Sequence, residues 1–436
     1  MTAWRRSLEI YCERPLPLIL MLGFASGLPL LLTFSTLSAW LAEAGVSRAA
    51  IGAFALAGLP YALKFLWSPL LDCLPPPLPL GRRVGWGVAI QLALAAAIIA
   101  LGCCDPRRDL RAMGALALLV AFLSASQDIV IDAYRVELLT DEQQGPGAGM
   151  IQTGYRIAML ASGAGALVIA ARYGWFVAYL SMAMLLLCGA IVFLLSPEPA
   201  PRAGAAEPLA LPAAAKSIRS WLKTAVAAPF EDFAARPMWL AILIFILGYK
   251  LGEAMAGVMA MPLYVSLGFS LDQIAAVSKL AGFFATIAGA LIGGVITARL
   301  GFMRSLLVCG LLLSAGNLFY VLQAIGGRHV GYLALCVTAE NLTGAMAGAA
   351  LVAYLSSLCS QQFTATQYAL LSSLAAVRRN LVASGAGVMA QALGWAEFFL
   401  LTTVATLPAL LLLLWIARRA PERAGRDLAA SVSAGS

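Results

Sequence analysis

Runs of about twenty apolar residues recur along the whole chain, and they limit its fold more than any other feature. A helix of that length, rising about 1.5 Å per residue, crosses the hydrocarbon of a bilayer. In lipid, each backbone polar group must find its partner inside the segment, so such runs are helical. Twelve are read, at roughly 17–39, 49–71, 85–103, 112–134, 147–171, 175–195, 238–265, 273–297, 303–325, 330–358, 366–392 and 396–417. The chain is therefore expected to be an all-α membrane protein embedded in a lipid bilayer. Only 11% of its 436 residues are charged and 61% are hydrophobic. A soluble domain carries about 25% charged residues.

One long polar connection, 196–237, divides the runs into six and six. The reading is an N-terminal six-helix bundle over 1–195, a cytoplasmic linker over 196–237, a C-terminal bundle over 238–418 and a disordered tail over 419–436. The Pro/Ala-rich start of the linker reads as a spacer. Its "IRSWLKTAVAAPFEDF" reads as an amphipathic surface helix. With the N-terminus placed inside, seventeen of the 29 Lys and Arg fall on the inner side and six on the outer. Both termini and the linker are thus expected to be cytoplasmic. The net charge of +8 follows from that topology and implies no nucleic acid. Eight cysteines and a lone histidine, His329, show no metal-ligand spacing. The opening "MTAWRRSLEIYCERP" has no signal-peptide pattern, so none is expected.

Six spans, a cytoplasmic linker and six more resemble the plan of the major facilitator superfamily. That resemblance implies two parallel repeats with a substrate site between them at mid-membrane. "SPLLDCLPPPLPLGRR" after the second span resembles the superfamily's loop signature there, with an added proline stretch. It implies that Asp72, Arg82 and Arg83 latch the cytoplasmic side. The alternative is positive-inside charge beside a helix stop. The matching stretch after the eighth span, "GGVITARLGFMR", keeps Gly294, Arg299 and Arg304 but has Ala298 where an acid would stand.

Charge inside a span is costly and marks function by default. Ten such residues occur: Lys64, Asp128, Asp132, Arg156, Lys250, Glu253, Lys279, Glu340, Arg378 and Arg379. Six are positive, which suits an anionic solute. Mutual pairing, or snorkelling from helix ends, is the competing account. In "SASQDIVIDAYRVELL", Asp128 and Asp132 are four apart and share a face, with Gln127 beside it. Asp128 lies seven residues before Arg135, about 10 Å deeper in the membrane. Asp132 is within reach of Arg135 at i+3. Lys250 and Glu253 also share a face. Pro29, Pro60 and Pro262 predict kinks. Gly/Ala-dense stretches at 160–171, 285–294 and 340–355 predict close helix packing. No nucleophile–base pair or metal motif is present, so an enzyme is not expected.

Several long segments, in order, are similar to those of the AmpG muropeptide permeases. They include "GFASGLPLLLTFSTLSAWL", "YALKFLWSPLLD", "SASQDIVIDAYRVELL", "GYRIAMLASG", "YKLGEAMA", "ENLTGAMAGAALVAYLSSLC" and "FTATQYALLSSLAAV". The resemblance implies a bacterial inner-membrane importer of anhydro-muropeptides for peptidoglycan recycling, with a downstream part in β-lactamase induction. It would be a monomer, driven by the proton gradient with no cofactor. Arg156, Lys250, Arg378 and Arg379 would hold substrate carboxylates. Gln127, Asn341 and Gln367 would bind sugar hydroxyls and acetamides. Tyr155, Tyr249 and Trp40 would stack on sugar rings. Asp128, Glu253, Asp132 and Glu340 are the proton-coupling candidates. Lys64 and Lys279 join Asp72, Arg82 and Arg83 as gating candidates. The sequence departs from the family pattern in having Glu253 for an Asp and "AAVRRN" with a second arginine. Shorter relatives include siderophore importers with a similar "QD" fourth span and the eukaryotic acetyl-CoA transporters, so another bulky anion is the alternative cargo.

Overall fold

A computed structural model describes residues 9–199, 227–360 and 362–419. Inside its helices, the side chains of residues 48, 49, 55, 271, Lys279 and 375–384, with Arg378 and Arg379, lie outside the described residues. So do most of the linker and residues 420–436.

The described chain forms twelve helical segments. They are α1 (Pro15–Glu43), α2 (the broken segment 48–73), α3 (Arg82–Gly102), α4 (Leu110–Leu138), α5 (Asp141–Tyr173) and α6 (Trp175–Leu195). After the linker come α7 (Trp239–Ser266), α8 (272–300), α9 (302–326), α10 (Val330–Ser357), α11 (Thr364–Leu393) and α12 (Trp395–Arg419). Helical segments lie at all twelve expected positions. Among the described residues nine helices are long and apolar enough to cross a membrane, one of them, Asp272–Gly326, covering two of the segments. α8 and α9 run on as one helix except at Gly301, whose φ of 72° breaks it. Helices α1–α6 pack around apolar cores built on Leu28, Leu94, Ile98 and Tyr179, and on Leu16, Val130, Tyr134 and Phe193. Helices α7–α12 pack around Phe245, Tyr249, Leu313 and Tyr354, and around Leu263, Tyr320, Phe398 and Phe399. The outer faces are also apolar: Ile191, Ile244, Leu311 and Leu411 are all more than half exposed. Such a surface suits lipid rather than water.

α1 begins, and α6 and α12 end, on the side of the bundle that carries the linker. We call this the linker side. Two proline readings are corrected. α7 breaks at Lys250 (φ −112°, ψ 25°), not at Pro262, which lies inside Leu251–Ser266. α1 breaks at Phe34, past Pro29. α2 tightens to 3-10 geometry over Phe54–Gly58, just before Pro60 in the first turn of Leu59–Leu63, and again over Lys64–Leu66.

The start of the linker is not a free spacer. The Glu198 carboxylate accepts the backbone N–H groups of Arg83 (2.8 Å) and Val84 (2.9 Å), completing the N-terminus of α3. At the far end of the linker, a short helix, Ala228–Ala234, packs Phe233 into the core of the second half.

Candidate functional site

Each half builds a polar unit from equivalent helices. In the first half, Ser26 of α1 donates to Asp128 of α4 at 2.6 Å. In the second, Lys250 of α7 donates to the Gly344 carbonyl of α10 at 3.2 Å and pairs with Glu253 at 2.8 Å. Under a parallel repeat α1 corresponds to α7 and α4 to α10, so the two units are repeats of each other. Asp128, Lys250, Glu253 and Glu340 are all half-buried, and Glu340 lies one turn from Gly344 on α10.

α5 fixes where these units lie. Gly145, Gly149, Gln152 and Arg156 recur at helical spacing and share one face. The first three meet the opposite half. A Cβ at Gly145 would stand 2.8 Å from the Gly294 carbonyl oxygen, and one at Gly149 2.7 Å from that of Ala290. Gln152 lies against Gly348. Arg156 comes one turn further from the linker side, exposed, on the same face. It has no carboxylate partner among the described residues; its contact is Met159 Sδ at 3.9 Å. Arg156 thus continues the face of α5 that meets the opposite half, above a backbone-to-backbone seam.

On the linker side the halves are also joined by polar groups. Asp72, 3% exposed, accepts the N–H groups of Ala365 (3.3 Å) and Thr366 (2.8 Å) and the Thr366 hydroxyl (2.7 Å). A carboxylate of α2 therefore caps the N-terminus of α11 in the other half. Arg83, 1% exposed, binds Asp72 at 2.7 Å and Glu137 at 2.5 Å. Arg82 does not reach Asp72; it pairs with Glu137 at 3.2 Å. The Tyr11 hydroxyl donates to the Leu291 carbonyl of α8 at 2.7 Å. Lys64, buried where α2 is broken, lies 3.8 Å from Asp132, which is also 3.9 Å from Arg135.

Four residues expected at the substrate are engaged elsewhere in this conformation. Gln127 has no cleft exposure: its amide donates to the Ala25 carbonyl at 2.8 Å. That carbonyl lies four residues before Pro29, which has no N–H to offer it. Tyr249 is fully buried, with its hydroxyl on the Leu306 carbonyl at 2.9 Å. Gln367 sits at the linker end of α11, accepting from Ser360 N at 2.7 Å and donating to Asp232 at 2.6 Å. Trp40 is likewise buried, stacked on Trp175. Asn341 is half-buried and accepts from Thr286 at 3.0 Å, and Tyr155 is half-buried on α5. Ser26, Glu137, Gln152 and Glu198 were missed. The sequence signal for Glu198 was an acid right after one span, available to a helix start that lacks a capping side chain.

Two six-helix halves around a charged cleft, closed on one side, define a membrane transporter. The chain belongs to the Major Facilitator Superfamily, whose sequence profile matches residues 19–377. Within it, the chain is 43% identical over 410 residues to the anhydromuropeptide permease of Escherichia coli (strain K12), covering 93% of this chain and 80% of that protein. It is 35% identical over 415 residues to the transporter named AmpG 4 of Rickettsia conorii, covering 94% and 98%. Among solved structures, FucP in the outward conformation has the same fold at TM-score 0.69, with 14% identity over 92% of this chain and 98% of that one. A bacterial homologue of the iron transporter ferroportin, in an outward-facing state, gives 0.65 with 13% identity over 94% and 100%.

Proposed function

We propose that this chain imports anhydro-muropeptides across the bacterial inner membrane by alternating access, driven by protons and without a cofactor, acting as a monomer. The observation that carries the reading is the 43% identity to a named anhydromuropeptide permease along nearly the whole chain. The site supports it: a bulky glycopeptide with carboxylates suits Arg156, an exposed guanidinium with no carboxylate partner among the described residues. Lys250 is already held by Glu253, so it binds a substrate carboxylate only if Glu253 gives it up. Asn341 and Tyr155 remain the candidates for sugar contacts. Gln127, Tyr249 and Gln367 support the helices instead. The side chains of Lys279, Arg378 and Arg379 fall outside the described residues, and their proposed roles rest on the sequence.

The linker side is assigned to the cytoplasm from the Lys/Arg bias. The seam then closes the cytoplasmic face, and the cleft receives substrate from the periplasm. Asp128 is the proposed proton carrier, with Glu253, Asp132 and Glu340 as further sites. A bare carboxylate in this setting is disfavoured by desolvation, and taking a proton removes that penalty. Asp72, Arg82, Arg83 and Lys64 form the proposed cytoplasmic gate.

Purified protein in liposomes tests the reading. Labelled GlcNAc-anhydroMurNAc-peptide should accumulate when the outside is made acidic and stop when the gradient is collapsed. Accumulation of a siderophore or a CoA thioester in its place would favour the alternative cargo.

A further inference from the structure

Arg135 lies fully buried at the linker end of α4. Its surroundings differ sharply from those of Arg83, which is equally buried but meets two carboxylates at 2.5 and 2.7 Å. Arg135 meets one, Asp132, at 3.9 Å. Among the described residues its Nε and one terminal nitrogen lack a hydrogen bond of good geometry, the other reaches Gln144 at 3.4 Å, and the Tyr368 hydroxyl also faces the group. The guanidinium instead stands over the ring of Tyr368, 5.4 Å from the centroid. Tyr368 belongs to α11, in the opposite half. A buried cation this weakly matched favours any rearrangement that improves its neutralisation.

Asp132 does not serve Arg135 alone. Lys64 of α2 approaches it at 3.8 Å from the other side. One turn away on α4 is Asp128, held by Ser26. Asp128, Lys64, Asp132, Arg135 and Tyr368 thus make a continuous series from the cleft to the seam, and its last link crosses between the halves. The charged and titratable groups facing Asp128 are Lys64 and Tyr61 from α2 and Asp132 from α4, with Ser26 from α1. Those facing Arg135 are Asp132, Tyr368 and Cys359.

We propose that Arg135 is a positioning residue that transmits the charge state of the α4 carboxylates to the linker-side seal, through Asp132 on one side and the face of Tyr368 on the other. The idea rests on the alternating-access reading above but not on the identity of the cargo. When Asp128 is charged, Lys64 is shared between the two aspartates and Asp132 still holds Arg135. When Asp128 is neutralised, Lys64 commits to Asp132. Arg135 is then left under-neutralised beneath Tyr368, and parting the halves lets water reach it.

The test places spin labels at Asp141 and Arg304, on the linker ends of the two halves, in nanodiscs without substrate. Tyr368→Leu, which leaves Arg135 with less to hold it, should raise the linker-side-open population at least about tenfold, the effect of losing a buried cation–π contact. Arg135→Met, which removes the poorly matched cation itself, should lower it. Tyr368→Phe keeps the ring face but loses the hydroxyl that also faces Arg135, so it should lie nearer wild type than Tyr368→Leu. Arg135→Lys should lie between wild type and Arg135→Met. In liposomes Arg135→Met should keep exchange of substrate while losing uphill accumulation; a merely structural role would lower both together. A correctly inserted Arg135→Met with wild-type distances overturns the proposal. If that variant fails to insert, wild-type distances in Tyr368→Leu overturn it equally. The distance measurement needs no cargo, so it separates failure of this proposal from a wrong substrate assignment.

Discussion

Asp72 accepts both the backbone N–H and the hydroxyl of Thr366, from the opposite half of the molecule. The first turn of α11 is completed by a residue that must leave when the linker side opens. Removing the carboxylate should favour that opening. Asp72→Ala should destabilise the closed seam by about 1–3 kcal/mol, the range for orphaned buried donors. Cysteine accessibility from the linker side should rise accordingly, while Thr366→Ser, which keeps the hydroxyl, should leave it unchanged.

Asp128→Asn should abolish accumulation of substrate against its gradient while leaving downhill exchange measurable. Ser26→Ala removes the 2.6 Å hydrogen bond to this carboxylate and should shift the pH dependence of uptake without ending it. Wild-type accumulation in Asp128→Asn would remove this residue from proton coupling.

Gln127 and Pro29 should behave as a coupled pair. Gln127→Leu leaves the Ala25 carbonyl without a partner and should cost about 1–3 kcal/mol of stability, read as thermal unfolding in detergent. Pro29→Ala restores an N–H four residues after Ala25. The double variant should therefore be more stable than Gln127→Leu alone. Additive effects in the double-mutant cycle would refute the pairing.

Two glycines of α5 should respond in opposite ways. Gly154 faces α1, where a Cβ would stand 2.7 Å from Phe24 N inside a single half. Gly154→Ala should lower the yield of folded protein. Gly149 faces α8 of the other half, so Gly149→Ala should fold normally and wedge the seam apart. Spin-label distances across the linker side, set beside expression level, separate the two effects.

Burial pushes the Tyr11 hydroxyl above the ordinary phenol range. A raised folded value means that its contribution is complete below the unfolded phenol value of about 10 and is lost only as pH rises past the folded one. Tyr11→Phe should thus loosen the seam by the same amount at pH of about 6 and about 8. A change in that difference between the two would show that the contact is not the neutral hydroxyl bond to Leu291.

The fold was legible because lipid imposes one rule on every span, and hydropathy reports it. Charged positions such as Asp128 and Lys250 were legible for the same reason, since each violates that rule. The assignments that moved were polar but uncharged. Gln127, Gln367 and Tyr249 looked like ligand contacts, yet their partners are backbone groups or side chains as far as 102 and 135 residues away. No local pattern encodes such a partner. Pro29 did predict a carbonyl without a donor, but not which residue would supply one. Arg82 and Arg83 are adjacent in sequence; only tertiary placement decides that Arg83 takes Asp72.

The contact between α5 and α8 has a thermodynamic consequence. Gly145, Gly149, Ala290 and Gly294 bring backbone against backbone, and none of them has a rotamer to freeze. Where these four residues meet, closure orders no side chains; the Tyr11 and Thr297 side chains at the edge of the contact carry what side-chain entropy the closure costs. If the seam opens and closes in transport as proposed, most of its area can re-form without waiting for side chains to sort.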